Sequence, residues 1–403
     1  MLSEIIISIS VLFISVYFYI RNKRKHFPPY NKESITETLA IFTGTQLPAH
    51  FLRWTKELGP IFAINIPEFS PIVIITDVAI AKLILEGGKT DKSQKIRQGE
   101  KLSLIKRMVP NNIPTLFTRH TYGEKWEVYR KFIAPAFSYT NLYKFLPVLY
   151  KSLDSYLDLL KQKERDDEAI NPLDVFQYLF FDAVGIGMFH RDMHVMQEGS
   201  LGHTLYHELH IWLQEFGMRR IFNPIRKYLP RDADGRRGYQ AYETILSICR
   251  TILQDYRSTN TTEEIAKDSS ILSYIVRCPY DTEAERVEEM YAFIIAGYET
   301  TAVSLSWVVI EIARNPQVLQ RLQSEVDAVD KDTPYDHQNT STMSYMQAVI
   351  NEAMRLWAIG LSFGRVAEAD ISYNGYVIPK GASCIVPHIT LFREGLTVSY
   401  YGI

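Results

Sequence analysis

One long apolar segment limits the folds that are open to this chain of 403 residues. The segment from Val287 to Asn315 has helical periodicity and is closed by Pro316, which cannot continue a helix. At about 1.5 Å per residue it predicts a helix of roughly 40 Å, long enough to cross the interior of a domain. We therefore expect a large and mainly helical globular protein.

The middle of this helix carries residues that an ordinary core helix avoids. Gly297 costs about 1 kcal/mol relative to alanine in a helix interior, and Glu299 brings a carboxylate into an apolar stretch. Gly297, Thr300 or Thr301, and Ser304 fall three or four residues apart and so share one face. This face is either a shallow groove for a flat ligand or a surface that lets another helix approach closely. Both interpretations remain open from spacing alone.

Two further clusters combine charge with aromatic or apolar surroundings. Glu352 and Arg355 are i,i+3 neighbours on an otherwise apolar helix. If they are buried, each must satisfy the charge of the other. Trp126 and Arg130 lie four residues apart, and Arg130 and Arg365 are both cations beside apolar residues. Either arginine is a candidate ligand for an anionic group or an exposed side chain with a packed stem.

The N-terminus has the pattern of a membrane anchor. Leu2 to Ile20 contains one charged residue, Glu4, and approaches the roughly 20 residues that span a bilayer. Arg21 and the lysines and arginine just after it follow at once, which predicts a cytoplasmic C-terminal side. A buried core helix is the alternative. We predict an anchor with its basic flank at residues 1–25.

Composition excludes several classes of protein. The chain is 46% hydrophobic and 22% charged, which is typical of a globular protein. Its 44 basic and 46 acidic residues give a net charge of 44 − 46 = −2, so nucleic acid is not expected as a partner. Three widely spaced cysteines fit neither a disulfide framework nor a CxxC metal site, and they indicate a reducing compartment.

Short strands are predicted near each end of the helical region. Residues 61–66 and 72–76 are β-branched runs that suit a hairpin, and residues 371–378 with 383–386 make a second strand pair. The predicted fold class is therefore mainly α with small β-sheets (α+β), preceded by one transmembrane helix. We place one domain at residues 26–394 and see no internal repeat.

The clusters together resemble a known family, the cytochrome P-450 or haem-thiolate monooxygenase family. Four groups of motifs occur in the family's order and cover nearly everything after the anchor, to about Glu394. The motifs are Ala296–Thr301 with Ser306-Trp307 and Ala313–Pro316, Tyr345–Val349 with the ExxR residues Glu352–Arg355, Gly123–Trp126 running to Arg130 with Pro135–Ser138, and Gly375–Gly381.

The resemblance implies roles for single residues on the long helix. Thr300 is expected to hydrogen-bond dioxygen and, with Glu299, to deliver protons for O–O cleavage. Ala296 and Gly297 are expected to line the oxygen groove. The implied cofactor is haem b with its iron.

The same resemblance assigns the other two clusters. Trp126, Arg130 and Arg365 are expected to hold the haem propionates through charge-assisted hydrogen bonds. Glu352 and Arg355 are expected to be structural and to lock the core beneath the haem.

The departure from the family pattern concerns the iron ligand. The family holds iron by a cysteine in a glycine-rich FxxGxRxCxG loop, and this chain has no such loop. Cys384 lies on a predicted strand and Cys278 in a turn, so each is expected to be a small buried hydrophobe and no metal ligand. We expect a C-terminally truncated relative with unrelated sequence at 395–403, weak haem binding and little activity.

The function implied by the resemblance is insertion of one oxygen atom from O2 into an apolar small-molecule substrate. Expected partners are the endoplasmic-reticulum membrane, which the chain crosses once with its catalytic domain cytoplasmic, and an NADPH-dependent reductase. The alternative is a non-catalytic, membrane-anchored product that competes for the reductase or is degraded. Phe117, Trp212 and Phe216 are candidates for a substrate pocket or for the core.

Overall fold

The structure, a computed structural model, describes residues 26–43, 47–66, 71–86, 108–119, 123–220, 226, 230–329, 341–360 and 362–388. The predicted anchor at residues 1–25 and the predicted tail at 395–403 lie outside the described residues. The chain forms two compact units. The sheet unit draws on Met1–Met108, Met218–Lys227 and Gly360–Val398, and the helical unit draws on Val109–Gly217, Tyr228–Ile359 and Ser399–Ile403.

The described strands of the sheet unit form two sheets. The larger has the order β1-β2-β6-β3, with antiparallel neighbours at its two edges and a parallel pair, β2 and β6, at its centre. β4 and β5 form a separate antiparallel hairpin. The strands are β1 (Ile61–Ala63), β2 (Ile72–Ile75), β3 (Ser362–Val366), β4 (Ile371–Tyr373), β5 (Tyr376–Ile378) and β6 (Ser383–Pro387).

This pairing corrects the prediction of one small sheet near each end. Residues 371–378 are not one strand, because Asn374 and Gly375 both adopt positive φ, at 47° and 81°, and turn the chain into a hairpin. The strand that begins at Ser383 pairs instead with β2 and β3. All five residues of β6 are buried, as expected of a central strand covered on both faces.

Strands β1, β2 and β6 of the large sheet are buried throughout, and their successive side chains point to opposite faces, so both faces of these strands are covered. Phe62 and Ile74 pack on one face with the aromatic residues of two helices, α1 (Ile35–Thr43) and α2 (Leu47–Leu58). Val73 packs on the other face with α3 (Val78–Glu86). The continuous β-branched runs of the sequence are explained by this two-sided burial.

The helical unit contains the remaining described helices. They are α4 (Glu124–Ile133), a 3₁₀ turn (Ala134–Phe137), α5 (Tyr139–Tyr143), α6 (Leu146–Arg165), α7 (Pro172–Phe189), α8 (Leu201–Trp212) continuing into a π-helix (Leu213–Arg220), α9 (Ala233–Thr259), α10 (Thr262–Lys267), α11 (Ile271–Arg277), α12 (Glu283–Arg314), α13 (Pro316–Asp327) and α14 (Ser344–Leu356). The prediction of a mainly helical protein with small sheets is confirmed.

Two polar stretches, residues 161–168 and 258–269, are partly helical in spite of their composition. Residues 161–165 extend α6, which keeps basic residues in its last turn, where they interact favourably with the helix dipole. Within residues 258–269 the structure forms α10, because Thr261 and Glu264 make a reciprocal capping box. Local caps therefore outweighed the polar composition of these segments.

The predicted long apolar helix is α12, and it packs along α7 and also against α9 and α14. Thr282 begins it by accepting a hydrogen bond from the backbone N–H of Glu285. Among the described residues, α12 alone is long and apolar enough to cross a membrane by length and composition. Its packing partners make it the central helix of this unit.

A hydrogen-bonded cluster at Asp268 fixes the C-terminal end of α7. His190 ends that helix with a left-handed φ of 50°, and its Nε2 lies 2.8 Å from Oδ2 of Asp268. Tyr256 and Ser270 each donate a hydroxyl to the same oxygen at 2.6 Å. Burial alone would raise the pKa of Asp268, but these hydrogen bonds outweigh it and hold that pKa well below its usual range. The pKa of His190 is raised, chiefly by its hydrogen bond to Asp268.

This cluster predicts a pH-dependent contribution to stability. Because the pKa of His190 is raised in the fold, its contribution is complete below an unfolded pKa of about 6.5 and is lost as pH rises through the folded value. The contribution of Asp268 is present above an unfolded pKa of about 3.8 and is lost at lower pH. In urea unfolding, His190→Gln is expected to lower the free energy of unfolding by about 0.5–1 kcal/mol at mildly acidic pH, and by less at alkaline pH.

The matched control is His194→Gln, since His194 is more exposed and its contact with Asp192 is longer, at 3.4 Å. It is expected to show no comparable pH-dependent loss. A loss for His190→Gln that is equal at acidic and alkaline pH would contradict the ion-pair account.

Candidate functional site

The middle of α12 has an uncovered face of small residues. Ala296, Thr300 and Thr301 are exposed, although Tyr298 and Ala302 beside them on the helix are buried. The Thr300 hydroxyl donates to the Ala296 carbonyl at 2.8 Å, and the Ser304 hydroxyl donates to the Thr300 carbonyl at 2.9 Å. The structure thus brings Ala296 and Thr300 together and leaves the Thr300 hydroxyl oxygen able to accept a hydrogen bond from an outside donor.

Gly297 lies at the close contact between α12 and α7. A Cβ atom at this position would meet the two methyl groups of Val184 at 3.2 and 3.3 Å, which is tighter than ordinary contact. The sequence left two interpretations of this helix open, a ligand groove and a close helix approach. Gly297 occupies the helix contact, whereas Ala296 and Thr300 occupy the uncovered face.

Glu299 is held by a polar network from two neighbouring helices. Gln177 of α7 donates its side-chain amide to Glu299 at 2.9 Å and accepts the Tyr206 hydroxyl at 2.8 Å. His210 donates Nδ1–H to the Tyr206 carbonyl at 2.9 Å, and its Nε2 lies 3.4 Å from the Gln177 amide nitrogen. Among the described side-chain hydrogen bonds, none joins Glu299 to Thr300. The two residues predicted to act together therefore have different partners.

Sequence reasoning missed Gln177, Tyr206 and His210. The available signal was Gln177 itself, a polar side chain in the otherwise apolar run of α7. Gln177 is buried at 4% exposure, and a buried amide in such a helix needs a hydrogen-bonding partner.

Glu352 and Arg355 form the predicted pair on α14. Arg355 donates to both carboxylate oxygens of Glu352, at 2.7 and 2.6 Å, and each side chain is 36% exposed. The hydrogen bond and charge of Arg355 lower the pKa of Glu352, and the pKa of Arg355 is raised in turn. Trp357, which directly follows the last residue of α14, stacks on Trp307 of α12 with ring centroids 3.9 Å apart. The pair thus lies on a helix that is joined to α12.

Trp126 and Arg130 lie one turn apart on α4. The Trp126 indole N–H donates to the Leu116 carbonyl at 3.1 Å. Arg130 is exposed, and within the described part of the chain its guanidinium has no ion pair or hydrogen bond. Arg365 belongs to the sheet unit. It lies on β3 opposite Cys384 of β6, and its guanidinium donates to the Gly364 carbonyl at 2.9 Å.

Two buried acids of α12 secure the segment that supports Trp126. Arg119 pairs with Glu285 at 2.8 Å, with both side chains about one-tenth exposed. The backbone N–H of Leu116 donates to both oxygens of Glu289, at 3.1 and 2.9 Å. Removing either glutamate would leave a buried hydrogen-bond donor without an acceptor. Both glutamates are therefore structural.

The three cysteines of the chain are all described and all buried. Burial raises the pKa of Cys384 to about 12 and that of Cys278 to about 12, and it also raises the pKa of Cys249. Without a metal, thiols buried in this way are unreactive and pack as small apolar side chains. Among the described residues, no group of three or more His, Cys, Asp or Glu side chains is arranged to hold a metal ion.

The three aromatic residues that are candidates for a substrate pocket differ in exposure. Trp212 and Phe216 are 2% and 0% exposed and stack on each other, with centroids 6.0 Å apart. Phe117 is 55% exposed. The first two side chains are therefore part of the core of the helical unit.

The polar network at Gln177 can be tested by substitution. Gln177→Met keeps the volume and leaves the Tyr206 hydroxyl and the Glu299 carboxylate without this partner. We expect the free energy of unfolding, measured in urea, to fall by about 1–3 kcal/mol. Gln162→Met on the exposed face of α6 is the matched control and is expected to be nearly neutral. Equal effects of the two substitutions would argue against the network.

Comparison with known proteins gives one consistent family. The family model for cytochrome P450 matches residues 28–394. The chain is 26% identical over 353 residues to cytochrome P450 734A1 of Arabidopsis thaliana, which covers 85% of this chain and 64% of that protein. It is 26% identical over 301 residues to cytochrome P450 3A12 of Canis lupus familiaris, which covers 67% of this chain and 56% of that protein.

Over a shorter region, the chain has a higher identity to another relative. The chain is 39% identical over 114 residues to cytochrome P450 3A56 of Fundulus heteroclitus, covering 28% of this chain and 23% of that protein. The chain thus spans between about half and two thirds of the two relatives that it matches over longer ranges. Because the family model matches most of its length, the chain belongs to the cytochrome P450 family.

Proposed function

We propose that the chain takes part in haem-dependent monooxygenation, in which one oxygen atom from O2 is inserted into an apolar organic substrate. The observation that carries this proposal is the uncovered face of α12, where Ala296, Thr300 and Thr301 are exposed beside the buried Tyr298 and Ala302 of the same helix. Family membership supports the same chemistry. Haem supplies the activation of oxygen when it is bound, and the protein supplies position and protons.

The residues fit part of the haem and not all of it. The small side chains of Ala296 and Thr300 leave room for a flat group, and Arg130 offers an exposed guanidinium to a propionate. The indole of Trp126 already donates to a backbone carbonyl, so it must change partner to bind a propionate. The three cysteines do not fit as the iron ligand, because each thiol is enclosed by the protein interior and has no open side for a haem. We therefore derive no chemical step through the iron.

Thr300 and Glu299 are proposed to handle protons on the protein side. The Thr300 hydroxyl is satisfied by the Ala296 carbonyl, and its oxygen still accepts a hydrogen bond from the exposed side. Glu299 is adjacent along the helix but is bound to Gln177. A relay between the two residues requires Glu299 to exchange that partner, so we assign Gln177 as the residue that positions Glu299.

We also propose the endoplasmic-reticulum membrane as the location, with the folded units on the cytoplasmic side and an NADPH-dependent reductase as electron donor. The support is the sequence of residues 1–25, with an apolar run followed by a basic cluster. An apolar substrate concentrates in the lipid, because transfer of its surface out of water is favourable. An enzyme beside the membrane therefore meets more of it.

The iron ligand can be tested by spectroscopy of the 403-residue chain expressed with haem. We expect no red-shifted, thiolate-type Soret band in the ferrous carbon-monoxide difference spectrum, because all three thiols are buried in the protein interior. A variant with all three cysteines replaced by serine should give the same spectrum. A red-shifted band that disappears in Cys384→Ser would show that this thiol reaches iron.

The burial of the cysteines also favours a second function, that of a non-catalytic product that competes for the reductase. Co-expression with a complete family member should then lower the turnover of that enzyme, and added reductase should restore it. A matched chain that lacks residues 1–25 should compete less, since it is not concentrated at the membrane. Unchanged turnover at comparable expression would remove this function.

A further inference from the structure

Helix α8 carries three histidines on neighbouring turns that the proposed oxygenase function does not use. His203, His207 and His210 follow a spacing of four and three residues, which places them on one side of the helix. The backbone of the first turn is fixed, because the Ser200 hydroxyl accepts from the His203 N–H at 2.9 Å. A Cβ atom at Gly202 would lie 2.1 Å from the Met193 carbonyl oxygen, so this turn also packs closely on its neighbour.

Two of these imidazoles converge in the geometry of a chelate. The Nε2 atoms of His203 and His207 lie 3.2 Å apart, with ring centroids at 4.4 Å. Two metal–nitrogen bonds of about 2.0–2.1 Å separate their nitrogens by about 3.3 Å at a tetrahedral angle and about 2.9 Å at a right angle. We propose that His203 and His207 form a surface site for a first-row divalent transition-metal ion.

The two Nε2 atoms lie within hydrogen-bond distance of each other, and a bound ion would replace that contact. His207 is exposed and His203 is half-buried, so solvent reaches the site. The nearest acid in sequence, Glu208, is bound to both terminal nitrogens of Arg237 at 2.7 and 2.8 Å.

The third histidine is not a ligand in this arrangement. His210 uses Nδ1 for the Tyr206 carbonyl and directs Nε2 toward the Gln177 amide. The site therefore has two protein ligands, and water completes the coordination of the ion. Two imidazoles favour Cu²⁺ first, then Ni²⁺ and Zn²⁺, and give no advantage to Mg²⁺ or Ca²⁺, which prefer oxygen ligands.

The chain contains a second histidine pair with the same sequence spacing, which serves as an internal control. His190 and His194 are also four residues apart, but His190 is the left-handed residue that ends α7 and its Nε2 is bound to Asp268. His194 lies in a non-helical segment. Spacing alone thus does not make a chelate; the helical backbone of α8 does.

The experiment uses the 403-residue chain without a polyhistidine tag, stripped with a chelator and titrated with CuCl₂, ZnCl₂ or MgCl₂ by calorimetry. We expect one tight Cu²⁺ per chain, weaker Zn²⁺ binding, and no Mg²⁺ binding at this site. His203→Gln and His207→Gln should each weaken Cu²⁺ binding by roughly tenfold or more, and His194→Gln should leave it within about twofold. Electron paramagnetic resonance of the Cu²⁺ form should show two equatorial nitrogen ligands.

Several outcomes would overturn the site. These are absence of Cu²⁺ binding, affinity that is unchanged in both His203→Gln and His207→Gln, and an equal loss in His194→Gln. Far-UV circular dichroism of the variants checks that α8 is kept. If the variants unfold, His207→Cys offers a second test, because a thiolate at the same position restores Zn²⁺ binding only where a chelate exists. None of these readouts depends on oxygenase activity.

Discussion

The close approach of α12 to α7 at Gly297 governs the arrangement of the residues around it. Any larger side chain there would press on both methyl groups of Val184, so the separation of the two helices depends on the missing Cβ. Glycine costs about 1 kcal/mol in a helix interior, and the packing along α7 offsets that cost. With this side of α12 occupied, Glu299 meets Gln177, and Ala296 and Thr300 remain on the uncovered face.

The sequence predicted those features that depend on local pattern. The extent of α12 follows from periodicity and from Pro316, and the Glu352–Arg355 pair follows from i,i+3 spacing. The pairing of β2 with β6 was not predictable, because it joins segments that are distant in sequence and nothing local encodes a partner. The partner of Glu299 was missed for the same reason, since Gln177 reaches it only after α7 is docked on α12.

The sulfur and imidazole nitrogen atoms of the chain differ in their access to solvent. The sulfur atoms lie in the interior, where desolvation keeps them protonated and they act as apolar side chains. The converging imidazole nitrogens lie on α8 at the surface. A metal ion that arrives from solvent therefore meets the nitrogen atoms of α8 before it meets any of the three sulfur atoms.

The parallel pairing of β2 with β6 has a consequence for biosynthesis. Ile72 pairs with Ser383, so the partners are 383 − 72 = 311 residues apart. At about 5–20 residues per second, a ribosome needs roughly 15–60 s to make the chain between them. Throughout this interval β2 lacks its central neighbour, and its free edge is a template for wrong pairing with other chains. The nascent protein thus depends on protection of one apolar strand until the residues of β6 have been made.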